Sequence, residues 1–204
     1  MRITATLAAL AVTVALTAQQ PLALDRAATA MANQEASFTH HFTPKGFKTS
    51  QVERGTVHFG RLPAMRWSYT APEQKLFVFD GTQSWFYVPA DKQVTQARIT
   101  DARKRELPFL LLGDPAARQQ HFIVKQQSGR GGVTTTTLQP RAANAVVRNV
   151  TVTTSSNHLI QRIDYTDREG NRTSFQFSGY HPKSAGADAF RFTPPAGVQV
   201  VNAD

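Results

Sequence analysis

Apolar and polar side chains alternate through residues 55–89, GTVHFGRLPAMRWSYTAPEQKLFVFDGTQSWFYVP, with the two-residue period of β-structure. Val57 and Phe59 share one face. Met65, Trp67 and Tyr69 alternate with Arg66 and Ser68, so the two faces separate cleanly. Residues 76–79 are apolar on both faces, Asp80-Gly81 signals a hairpin, and 85–88 return. Farther on, two strand-like runs flank the glycine-rich 129–132. The runs 146–153 and 159–166 are separated by the polar turn Ser155-Ser156-Asn157. Glu169-Gly170-Asn171 turns the chain into 173–177, where Phe175 and Phe177 fall on one side, and 190–192 and 198–201 end the series. Short strands joined by local turns predict an antiparallel meander.

Two segments break this rhythm. Residues 25–37, DRAATAMANQEAS, are alanine-rich and read as a helix, with Asp25 placed to cap its first turn. Leu24, Ala27, Ala28 and Met31 lie at helical spacing and give it one apolar face. In mid-chain, 106–112 (ELPFLLL) is a compact apolar run, and Asp114-Pro115 resembles a helix N-cap followed by proline at the first helical position. Short helices here must bury their apolar residues against the sheet, as a lid does.

The N-terminus bears on compartment. Arg2 precedes an uncharged apolar run over 3–18, the form of a secretory signal peptide and short for a membrane span. Cleavage is expected after Ala18, with Ala23 as the alternative, leaving 19–204 as a single domain large enough to bury its own core. The chain has no cysteine, which excludes disulfides, thiolate metal sites, cysteine nucleophiles and a lipid-modified N-terminal cysteine. The formal net charge of +9 favours acidic partners or anionic membrane surfaces. Nucleic acid is not the expected partner of an exported chain, and the one basic cluster, 98–105, is interrupted by Asp101. The histidines show no metal-helix spacing, and His40-His41 point to opposite faces of a strand, so neither a metal nor another cofactor is expected. No nucleophile elbow or phosphate loop occurs, and Asp164, Asp167 and Glu169 sit around a turn, so no enzyme activity is expected.

A set of weak motifs then falls in one order. Ala36-Ser37-Phe38-Thr39 follows the helical segment, and G-x-x-x-x-x-R…R-W-x-Y runs from Gly55 through Arg61 to Tyr69. A proline at 72 leads to D-G-x-x-x-W-F-Y ending at Tyr87, with P-F-x-L-L from Pro108 to Leu112. G-N-R-T from Gly170 and F-x-F-T-P-P-x-G-V from Phe190 to Val198 complete the set. Over nearly the whole mature chain this resembles the LolA family of periplasmic outer-membrane lipoprotein carriers.

The resemblance implies a mainly β (α+β) fold: a single antiparallel, strongly curved, incomplete β-barrel with short helices forming a lid over an apolar cavity. Lipoprotein acyl chains would enter that cavity, lined by Val57, Phe59, Met65, Trp67 and Tyr69, with Leu110 and Leu111 from the lid. Taken one by one, the same residues read as packed core. The family's latching arginine falls on Arg61, six residues before Trp67, although Leu62 here separates it from Pro63. Arg66 competes for that role but alternates to the other face. Implied partners are acylated lipoproteins, an inner-membrane ATP-driven lipoprotein transporter and an outer-membrane lipoprotein acceptor, met by a monomeric soluble chaperone in the periplasm. A carrier or sensor of another lipid or glycolipid on the same scaffold is the alternative.

Overall fold

The computed structural model describes residues 22–100 and 114–203. Helix α1 spans Ala23–Met31 and leads into strand β1, Gln34–Thr43. There follow β2 (Gln51–Phe59), β3 (Met65–Ala71), β4 (Lys75–Phe79), β5 (Gln83–Val88) and β6 (Gln93–Arg98). Helix α2 (Pro115–His121) precedes β7 (Phe122–Arg130), β8 (Val133–Pro140), β9 (Val147–Thr154), β10 (Ile160–Asp167) and β11 (Arg172–Pro182). A 3-10 helix, Ala187–Phe190, and β12, Gln199–Asn202, complete the described chain.

All the strands belong to one 12-stranded sheet in the order β12-β6-β5-β4-β3-β2-β1-β11-β10-β9-β8-β7. The two ends of this order do not pair, so the sheet is an incomplete β-barrel. Two runs of consecutive strands, β2–β6 and β7–β11, are joined through β1, which pairs antiparallel with both β2 and β11. Two pairs depart from the predicted antiparallel meander: β1 joins the distant β11, and β12 runs parallel to β6, Val200 opposite Val94. Strand β6 itself, with polar residues at most positions, shows too little apolar alternation to be read from sequence.

Local rules account for most element ends. Asp80 Oδ1 accepts from the backbone N–H of Thr82 and Gln83 at 2.8 and 2.7 Å, and Gly81 takes φ +107°, closing the hairpin between β4 and β5. Asp114 caps α2 by accepting from Ala117 N at 3.0 Å, with Pro115 at the first helical position. The predicted helix over 25–37 ends early. Asn33 adopts φ 59°, and from Gln34 onward the backbone is taken into the ladders with β2 and β11. Tertiary pairing overrides the weak preference of Gln34, Glu35 and Ala36 for helix. Asp25 caps the first turn of α1 from its third position rather than as the N-cap residue, its Oδ2 accepting from Leu22 N at 3.0 Å.

The sheet is apolar on both faces, for different reasons. Its concave side carries the main core, which takes in Leu24, Ala27 and Met31 of α1. On the convex side, Val78, Trp85 and Val94 form a smaller cluster covered by Phe192 and Val198 of the C-terminal segment. That segment is held by His58 Nε2 against Lys183 O at 2.8 Å and by Arg66 donating to Ala189 O at 3.4 Å. Residues 190–192 were expected as strand; instead Phe190 ends the 3-10 helix and packs against His58 at a ring-centroid distance of 4.9 Å. Gly60 makes the room: a Cβ there would lie 2.6 Å from the Phe190 ring.

Candidate functional site

The concave wall is built by register. Ala36 pairs with Val57 and Phe38 with Gly55 across β1–β2. Across β2–β3, Val57 faces Trp67, Phe59 faces Met65 and Gly55 faces Tyr69. Strand alternation therefore sends Val57, Phe59, Met65, Trp67 and Tyr69 to one side, as the sequence predicts. The first four are buried, and Tyr69 packs partly buried against them.

Three further aromatics complete the wall from β1 and β11. Phe38 meets Trp67 and Tyr69 edge-to-face, at centroid distances of 5.0 and 4.9 Å. Trp67 contacts Phe175 at 5.4 Å and Phe177 at 5.8 Å. Such pairs each add about 0.5–1.5 kcal/mol beyond the area they bury. Phe38, Phe175 and Phe177 were legible as strand residues on an apolar face. Their membership of this wall was not, because it follows from the β1–β11 pairing between segments far apart in sequence.

At one end the apolar face becomes polar. Glu53 on β2 receives His40 Nδ1 at 3.0 Å and Lys75 Nζ at 2.6 Å. His40 also stacks on Phe175, centroids 4.3 Å apart. Burial pushes the His40 imidazole below its usual range, against the opposing pull of Glu53. Burial alone would raise the Glu53 carboxyl, but the hydrogen bonds from Lys75 and His40 prevail and hold it below the usual carboxylate range. The Tyr69 hydroxyl is pushed up, first by burial and then by the nearby Glu53 charge.

Two helices meet over the other end. Arg118 of α2, 1% exposed, forms an ion pair with Asp25 of α1. Burial lowers the guanidinium pKa, yet an arginine stays charged throughout the physiological range. The sequence carried no sign of this pair, since an arginine in a short polar helix reads as a solvated surface residue.

Arg61 is exposed in the tight turn between β2 and β3, where its carbonyl accepts from Ala64 N at 3.2 Å. Leu62, which separates it from Pro63, packs against the core. Leu110 and Leu111 lie outside the described residues. Among the described residues, no group of three or more histidine, cysteine or acidic side chains could hold a metal ion. No helix among them is long and apolar enough to cross a membrane.

An aromatic wall on one side of an unclosed sheet, in one core with Leu24, Ala27 and Met31 of α1, fits the incomplete β-barrel that the sequence resemblance implies. The family model described as "Outer membrane lipoprotein carrier protein LolA" matches residues 30–193. The chain belongs to the LolA family. An outer-membrane lipoprotein carrier protein of Proteus mirabilis (strain HI4320) is 30% identical over 167 residues, 81% of this chain and 80% of that protein. One from Xanthomonas axonopodis pv. citri (strain 306) is 28% identical over 169 residues, covering 82% of this chain and 80% of the relative. Among solved structures, an uncharacterized conserved protein from Thermus thermophilus shares the fold, with a TM-score of 0.55 at 12% identity, over 89% of this chain and 97% of that one.

Within this LolA-family fold, the match spans every strand from β1 to β11 and so includes the whole aromatic wall.

Proposed function

We propose that this protein is a soluble periplasmic chaperone. It binds the acyl chains of lipoproteins released from the inner membrane and delivers them to an outer-membrane acceptor. The observation that carries this reading is the aromatic concave wall of a LolA-family sheet. An acyl chain withdrawn from water gains about 0.8 kcal/mol per methylene, so a long chain is held in its membrane by roughly 10 kcal/mol. A soluble carrier must match part of that with apolar area and still let go. In this reading Val57, Phe59, Met65, Trp67 and Tyr69 line the acyl site, and the segment holding Leu110 and Leu111 covers it. An ATP-driven inner-membrane transporter loads the carrier, which works as a monomer after loss of residues 1–18. The site holds and releases and performs no catalysis.

Arg61 belongs to the same reading, as the latch that favours the empty, covered state. Closing competes with cargo for space, so removing the latch favours loading and hinders release. Arg61→Leu is expected to accept lipoprotein but accumulate in the loaded form, with Arg61→Lys restoring transfer only in part, because an ammonium lacks the planar fork of donors. Loss of loading with transfer intact would instead assign Arg61 to membrane or transporter contact.

The decisive experiment is release from inner-membrane vesicles carrying a lipoprotein and its unacylated variant. The protein is expected to solubilise the acylated form alone. Equal binding of both forms would overturn the reading, and a different lipid retained on protein purified from the periplasm would point to the other carrier class.

A further inference from the structure

A polar cluster stands at the end of the aromatic wall, where apolar residues of similar volume would serve stability as well. Glu53, His40 and Lys75 are half-buried, with side-chain exposures of 22%, 17% and 23%. Taking such groups out of water costs free energy that their mutual attraction at best offsets, and apolar residues of similar volume are often as stable. They stand on the same face as the wall, one step along the strands. Phe177, Phe38, Gly55, Tyr69 and Lys75 are successive partners across β11, β1, β2, β3 and β4. His40 and Glu53, paired with each other, lie in the next row. The concave face is therefore amphipathic along the strand direction, polar at Glu53 and apolar at Phe59 and Met65.

The cluster's own charges determine what it can bind. The Lys75 ammonium has three protons. One is engaged by Glu53 at 2.6 Å and a second faces Glu73 at 3.6 Å. The third is left for another acceptor, and across the β3–β4 ladder Lys75 is paired with Tyr69, whose hydroxyl makes no hydrogen bond to any described residue. With the lysine charge already balanced by carboxylates, the site offers donors to a neutral acceptor and has little excess charge to attract a free anion. Carbonyl oxygens are the matching chemistry.

We propose that Lys75 and Tyr69, held by Glu53 and His40, form a subsite for the ester carbonyls of a diacylglyceryl group, with its tails lying along Trp67 toward Phe59 and Met65. This rests on the acyl-carrier reading above and adds an orientation to it. The carbonyl end sits at Lys75, and the tails run toward the end where α1 leads into β1, at the pairing of Gln34 with Phe59.

The test titrates the full mature protein with a synthetic diacyl-ester lipopeptide and with its dialkyl-ether analogue of equal chain length. Charge-assisted hydrogen bonds of about 1.5–3 kcal/mol correspond to a preference for the ester of roughly ten-fold or more. Lys75→Met is expected to bring the ester-to-ether ratio close to one, and Lys75→Arg to keep most of the preference. Equal wild-type affinity for both probes would overturn the subsite alone, as would a full ester preference in Lys75→Met. Failure of both probes to bind would overturn the carrier reading and the subsite with it. A phosphatidylethanolamine of the same chain length distinguishes the source of the esters. If it does not compete, the lipopeptide is the ligand; if it competes equally, the subsite reads diacylglyceryl esters from either source.

Discussion

Gly55 is the position where the wall tolerates least. A Cβ built there would lie 2.0 Å from the Ser68 carbonyl oxygen and 2.9 Å from the Tyr69 Cα, both backbone atoms of β3. Ordinary contact begins at 3.4 Å, so Gly55→Ala asks β2 and β3 to part locally by about 1.4 Å. Strands in a sheet stand about 4.8 Å apart, so a displacement of that size breaks the ladder locally. Two stretched hydrogen bonds with their groups left buried cost about 1–3 kcal/mol each, or roughly 2–6 kcal/mol together. A domain has only about 5–15 kcal/mol in all. With a urea slope of about 1–3 kcal/mol per molar, the unfolding midpoint should drop by roughly 1–2 M or more. Trp67, which shares the strand with Tyr69, gives the fluorescence signal. Gly186→Ala is the control, because nothing lies within 4 Å of its Cβ position and its φ is not positive. Gly55 also separates Phe38 from Tyr69 in the row, so the variant should lose acyl binding before it loses its fold. A Gly55→Ala protein that unfolds at the wild-type midpoint would refute the reasoning, because it would show that the strands do not approach this closely.

Three further outcomes are expected. Met65→Glu puts an ionised carboxylate at a position 2% exposed, and loading of acylated cargo should fail while the far-UV β signal persists; normal loading would remove Met65 from the site, and global unfolding would assign it to packed core. Stability should fall in two steps on acidification: His40 and Glu53 both have lowered folded-state pKa values, so their contributions are complete above the usual 6.5 and 4.5 and are lost as pH drops through the folded values. Denaturant melts of His40→Asn and Glu53→Gln should lack the upper and the lower step respectively, and unchanged profiles would show that neither group is linked to folding. In a double-mutant cycle, Asp25→Asn and Arg118→Met should couple by about 0.5–3 kcal/mol, and strict additivity would show that the pair does not tie α1 to α2.

What the sequence disclosed was local. Alternation placed Val57, Phe59, Met65, Trp67 and Tyr69 on one face, and the turn chemistry of Asp80-Gly81 and Asp114-Pro115 needs only a few neighbouring residues to act. Where an element depended on a distant partner, pattern failed. Residues 34–37 read as helix because nothing nearby reveals that β11 will pair with them. Phe190 and Phe192 alternate like strand residues, yet they bury on the convex face through His58 and the space left by Gly60. The parallel addition of β12 to β6, the Arg118–Asp25 pair and the meeting of Glu53 with Lys75 all join segments whose proximity exists only in three dimensions.

The seam between β1 and β11 has a consequence for how the protein comes into being. Each of the two runs, β2–β6 and β7–β11, forms from hairpins between consecutive segments, which is fast and local. Their union waits on one pairing that closes a loop of more than a hundred residues, Phe38 onto Phe177. The aromatic wall straddles that seam, with Trp67 and Tyr69 contributed from one side and Phe175 and Phe177 from the other. Until the seam closes, each half displays sticky rings to solvent. A chain caught at that stage is an aggregation hazard.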